Sequence, residues 1–126
     1  MKLSDIVHCV VIDPRKLTHY ALDPDAPWGR HKAMVFKRSL GFTQANYADL
    51  LIQIEKKALE SEAFFHSVDK FGRRYTVDLF ICGTGGQNAI VRTAWLVPPG
   101  ADEAYLVTLY VRKSVGDTEK KGASKI

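Results

Sequence analysis

Residues 74–97 read RYTVDLFICGTGGQNAIVRTAWLV, two runs of β-branched and aromatic residues around a glycine-rich GTGGQ. In the first run Tyr75, Val77, Leu79 and Ile81 alternate with Thr76, Asp78, Phe80 and Cys82. A period of two puts these sets on opposite faces of a strand, one apolar and one mixed. The glycines join strand to strand rather than strand to helix, so they form a hairpin turn and lack the geometry of a phosphate-binding loop. An antiparallel sheet with unlike faces follows.

Working outward, AYLVTLYVRK at 104–113 follows the turn sequence PPGADE, and FFHSV at 64–68 precedes the turn sequence DKFG. Four strands with short connections predict an antiparallel meander. Upstream the period becomes helical. Tyr47, Leu51, Ile54 and Ala58 give one apolar face on a helix that Thr43 or Asn46 caps and that runs to about residue 61. Ala33, Phe36 and Leu40 stripe a helix over 30–40 that stops at Gly41, a left-handed C-cap. Asp13 as N-cap, Pro14 at the first helical position, and Leu17, Tyr20 and Ala21 predict a short amphipathic helix before the proline-rich loop DPDAPWG. The expected fold class is α+β, with about three N-terminal helices packed on a four-stranded antiparallel sheet.

With 126 residues, 46% of them hydrophobic, the chain suits one domain, expected over residues 1–113, followed by a basic, disordered tail at 114–126. No run approaches the about 18 apolar residues of a membrane span. The first dozen residues show no export pattern, so a cytoplasmic location and no membrane partner are expected. Cys9 and Cys82 have neither metal nor disulfide spacing and are expected as buried, reduced thiols. The net charge of +4 is compatible with RNA or another phosphate-bearing polyanion.

The four histidines lack ligand spacing, and no HExxH or paired-Asp motif occurs, so no metal or cofactor is expected. Neither Ser39 nor Ser67 sits in a nucleophile elbow. Polar residues inside apolar strands remain: Arg92 and Thr93 in VRTAW, and Thr108 and Tyr110 in LVTLYV. A guanidinium on a half-buried strand requires an anion, either a carboxylate such as Asp78 or a ligand phosphate. Arg92 and Thr93, being adjacent, point to opposite faces unless a bulge intervenes. At the helix entrance, Arg30, His31 and Lys32 gather a titratable group and two cations, which suits a phosphodiester as well as a solvated helix end. Trp28 and Trp95 are candidates for stacking on bases, Trp95 also for the core.

The ordered set IDPRKLTHYALDPDAPWGRHKA, LGFT, RYTVD, VRTAW, PPG and LVTLY resembles a small, uncharacterised bacterial and phage domain family. That family has a Gly-x-His-Lys-Ala helix entrance, a Val-Arg-Thr-x-Trp strand and a Leu-Val-Thr-x-Tyr strand. Its element order is similar to the barnase, EndoU, colicin and RelE-like ribonuclease group, rich in toxin modules. The resemblance implies a metal-independent ribonuclease-like toxin domain that uses 2′-hydroxyl attack, with a neutralising protein partner. It implies a site of His31, Lys32, Arg92, Thr93, Thr108 and Tyr110, of which His31, Lys32, Arg92, Thr108 and Tyr110 are expected to be catalytic and Thr93 to bind; Arg30 and Trp28, from the residues themselves, are expected in binding as well. The rival reading is a non-catalytic module binding nucleic acid or protein, such as a phage-encoded inhibitor. A third is an accessory protein in which Arg92–Asp78 is only a salt bridge.

Overall fold

The computed structural model describes residues 1–27 and 29–114; Trp28 and residues 115–126, hence nearly all of the expected tail, lie outside the described residues. In chain order come a 3-10 turn (Leu3–Asp5), strand β1 (Cys9–Val11), a π-helical turn (Leu17–Ala21) and helix α1 (Arg30–Leu40). A second 3-10 turn (Gln44–Asn46) leads into helix α2 (Tyr47–Ala58). Strands β2 (Ala63–Asp69), β3 (Gly72–Cys82), β4 (Asn88–Val97) and β5 (Glu103–Ser114) follow.

Strands β2 to β5 form the expected antiparallel meander, in sheet order β1-β5-β4-β3-β2. The sheet has five strands rather than four, because Cys9, Val10 and Val11 pair in parallel with Glu103, Ala104 and Tyr105. Three residues are too few to display a period, and this strand exists only through a partner more than ninety residues away. From Leu106 onward no described strand pairs with β5 on that side; the π-helical turn and α1 pack there instead.

The helices cover one face of the sheet. Val77, Leu79, Val91, Trp95 and Leu109 are buried against Phe36 and Leu40 of α1 and Leu50, Ile54 and Ala58 of α2. The α1 stripe and its Gly41 cap (φ 78°) follow the sequence expectation, the Gly41 N–H donating to the Lys37 carbonyl. The buried face of α2 is rotated, with Leu50 inside and Leu51 and Tyr47 only partly covered. The expected first helix is a π-helical turn, in which Leu17 and Ala21 are buried. The thiols also differ from expectation: Cys82 is exposed at the end of β3, on the face opposite Ile81, and Cys9 is partly exposed. Desolvation, then the carboxylates of Glu103 and Asp102, push the Cys9 thiol above its ordinary pKa, which leaves it a poor nucleophile. Among the described residues no helix is long and apolar enough to cross a membrane.

Gly29 positions the entrance of α1. A β-carbon built there would lie 2.0 Å from the Tyr20 carbonyl oxygen, so only glycine lets the helix start pack on the π-helical turn. Gly29→Ala is expected to lower stability by about 1–3 kcal/mol through overpacking. Urea unfolding checks this: a midpoint unchanged from the parent would show that the contact yields freely.

Candidate functional site

The uncovered face of the sheet carries the polar strand residues. Asp78, Arg92 and Tyr110 share one rung across β3, β4 and β5; Thr76, Ala94 and Thr108 form the next. Ala94 has no atoms beyond its β-carbon, so space remains between its larger neighbours. A depression of about 280 Å³ lies here, lined by His66, Arg74, Arg92, Thr108 and Tyr110, with Ala94 in its wall.

Two irregularities in the ladder flank this depression. On β2, Phe65 pairs with Tyr75 and Ser67 with Arg74, which leaves His66 as the extra residue of a bulge. On β5, Leu106 pairs with Trp95 and Thr108 with Ala94, which leaves Val107 unpaired. Bulges re-aim side chains and are frequent beside active sites. Here both His66 and Val107 line the depression. The imidazole Nδ1 of His66 lies 3.0 Å from the Ser67 hydroxyl.

Arg92 donates from Nε and Nη2 to the two carboxylate oxygens of Asp78, at 2.8 and 3.0 Å. Arg112 donates to the same carboxylate at 3.0 Å. Arg92 in the first place, with help from Arg112, holds the Asp78 carboxyl below the usual carboxylate range. The carboxylate in turn raises the Arg92 guanidinium further. Two cations sharing one anion leave a positive charge on this face.

Lys32 arrives from the first turn of α1. Its Nζ donates to the Tyr20 hydroxyl at 2.6 Å and to Thr108 Oγ1 at 2.9 Å. The same ammonium sits 4.7 Å from the Tyr20 ring centroid and 5.6 Å from that of Tyr110. The hydrogen bond from Lys32, then that with Thr108, lowers the Tyr20 phenol from its ordinary pKa. Among the described residues Lys32 has no carboxylate partner within ion-pair distance. It therefore brings an uncompensated cation to the β5 edge that β1 leaves open.

Not every residue singled out in the sequence belongs to this groove. Arg30 and His31 line a separate depression of about 860 Å³, bounded by Leu22, Met34, Phe42 and residues 43–45. Successive helical residues diverge by about 100° around the axis, so the turn that aims Lys32 at Thr108 points His31 elsewhere. Thr93 faces the core and is fully buried; its hydroxyl donates to the Val77 carbonyl and accepts from Trp95 Nε1, both at 2.7 Å. The binding expectation for Thr93 is replaced by a structural one, because a side chain with no exposed surface meets no ligand. Trp95 is fully buried although it forms part of the groove's wall, and Trp28 lies outside the described residues. His66, Arg74 and Tyr20 also meet at this site, although none was among the site residues expected from the sequence. The sign available for His66 was the broken alternation of FFHSV, two adjacent phenylalanines before a histidine. Among the described residues no group of three or more His, Cys, Asp or Glu is placed to hold a metal ion.

No curated protein matches the chain. Among solved structures, one chain of the "Contact-dependent growth inhibition toxin - immunity protein complex from Klebsiella pneumoniae 342" is similar in fold, with a TM-score of 0.62. The identity is 16%, and the match covers 82% of this chain and 93% of that one, a likeness of fold. In sequence, residues 2–113 match the family described as "Domain of unknown function (DUF6883)", and the chain belongs to that family.

Proposed function

We propose that this domain is a metal-independent ribonuclease of the toxin type, of the barnase, EndoU, colicin and RelE-like group. The observation that carries the reading is the convergence of His66, Arg92, Thr108 and Tyr110 around one depression, with Lys32 bonded to Thr108. In this reading a phosphodiester of RNA occupies the depression. His66 takes the proton of the 2′-hydroxyl, and the freed oxygen attacks phosphorus. Lys32 and Arg92 stabilise the charge that develops on the phosphorane, while Thr108 and Tyr110 orient its oxygens. The P–O5′ bond breaks to leave a 2′,3′-cyclic phosphate, and the departing 5′-oxygen is protonated by water. Arg30, His31 and Thr93 take no part.

A ribonuclease harms the cell that makes it, so a neutralising protein is the partner that follows, in keeping with the toxin–immunity complex that supplies the fold likeness. One observation favours the rival reading of a non-catalytic RNA-binding module: Asp78 already engages Arg92 through two hydrogen bonds. A labelled, mixed-sequence RNA incubated with the protein in excess EDTA separates the two. The parent is expected to cleave it, and Lys32→Met to cleave about 10²-fold more slowly, with an unchanged unfolding transition. Intact RNA with the parent, together with a retained gel shift, would favour the binding module. Equal cleavage by parent and variant would remove Lys32 from the mechanism.

A further inference from the structure

A further depression, of about 390 Å³, adjoins the open β5 edge and is lined by Asp13, Arg15, Lys16, Tyr20 and Val107. Val107, the bulged residue of β5, lines both this depression and the groove on the sheet. Tyr20 lines this depression and is hydrogen-bonded to Thr108, which lines the groove on the sheet. The two spaces thus meet across a ridge made by Val107, Tyr20 and Thr108, with the Lys32 ammonium bonded to the latter two.

The charges beyond the ridge are unequal. Arg15 is folded back onto Asp13, donating from Nη2 at 2.7 Å and from Nε at 3.1 Å, so its charge is compensated. The bonded Arg15 brings the Asp13 carboxyl down to about 2, so it stays ionised and bound. Lys16 has no carboxylate within ion-pair distance among the described residues. The free charge of this depression is therefore that of Lys16, which lines it together with Tyr20.

We propose that the depression at Lys16 and Tyr20 is a subsite for a flanking phosphate of single-stranded RNA, crossing the β5 edge from the groove on the sheet. This deepens, and rests on, the reading of that groove as an RNA site. A single strand is required because the path bends over a sheet edge, which a stiff A-form duplex does not follow, whereas a flexible backbone tracks such a line of cations. The pairing of Arg15 with Asp13 removes the carboxylate that would otherwise repel the phosphate.

The test uses 2′-O-methyl oligonucleotides, which bind without being cleaved through the 2′-oxygen, at lengths of two and about 12 nucleotides. Dissociation constants are measured across a salt series for the parent, Lys16→Ala and Lys32→Met. Lys16→Ala is expected to weaken the long strand several-fold and to reduce its salt slope by about 0.7, the loss of one phosphate contact. It leaves the dinucleotide unaffected, whereas Lys32→Met weakens both lengths. An unchanged long-strand slope, an equal loss for both lengths, or a parent that binds neither length would overturn the subsite. A Lys16-dependent slope without cleavage of the corresponding ribo-oligonucleotide would uphold the subsite and refute the ribonuclease reading alone.

Discussion

His66→Ala is expected to slow metal-free RNA cleavage by about 10²–10⁴-fold, with His31→Ala close to the parent. The contrast follows from where the two rings lie. His66 is the extra residue of the β2 bulge and lines the groove that also holds Arg92, Thr108 and Tyr110. His31 lines the separate depression beside Leu22, Met34 and Phe42. A general base must reach the hydroxyl it deprotonates directly or through one water, so geometry selects between the histidines before any titration does. His66 is exposed and, among the described residues, its Nδ1 meets only the Ser67 hydroxyl, so alanine there is expected to cost little stability. Single-turnover cleavage of a labelled RNA in EDTA measures the effect. The opposite ranking, with His31→Ala inactive and His66→Ala unimpaired, would show that the reaction occurs at the α1 entrance.

Trp95→Ala carries the largest expected effect on stability, a loss of about 3–5 kcal/mol. Trp95 is fully buried, and its indole N–H donates to the Thr93 hydroxyl, which itself donates to the Val77 carbonyl. Alanine would open a cavity at the centre of the sheet and leave Thr93 with an unanswered lone pair. Urea unfolding by far-ultraviolet circular dichroism reads the change. A loss below about 1 kcal/mol would mean that the helices close over the cavity, contrary to the tight packing of this core.

Local pattern made much of this molecule legible. The α1 stripe of Ala33, Phe36 and Leu40, its stop at Gly41, and the four antiparallel strands all rest on interactions a few residues apart, or on a two-residue alternation that repeats. The opposed directions of Arg92 and Thr93 and the pairing of Arg92 with Asp78 were readable for the same reason: neighbouring strands in a meander have a predictable face. The first helix was harder, because a π-helical turn and an α-helix share the same short run of apolar residues.

The candidate site depended on information that no local window contains. β1 is three residues long and stable only against Glu103–Tyr105, and its shortness is what leaves the rest of the β5 edge open to Lys32 and Tyr20. His66 entered the groove through a bulge set by competing pairings with β3, which break the period that sequence reading relies on. The sequence by itself determined the α+β class, the meander and the polar residues on its strands, since period and turn chemistry are local. Only the tertiary structure decided which cations meet. A helix turns about 100° per residue, so Lys32 and His31, adjacent in the chain, serve different surfaces once α1 is docked on the sheet.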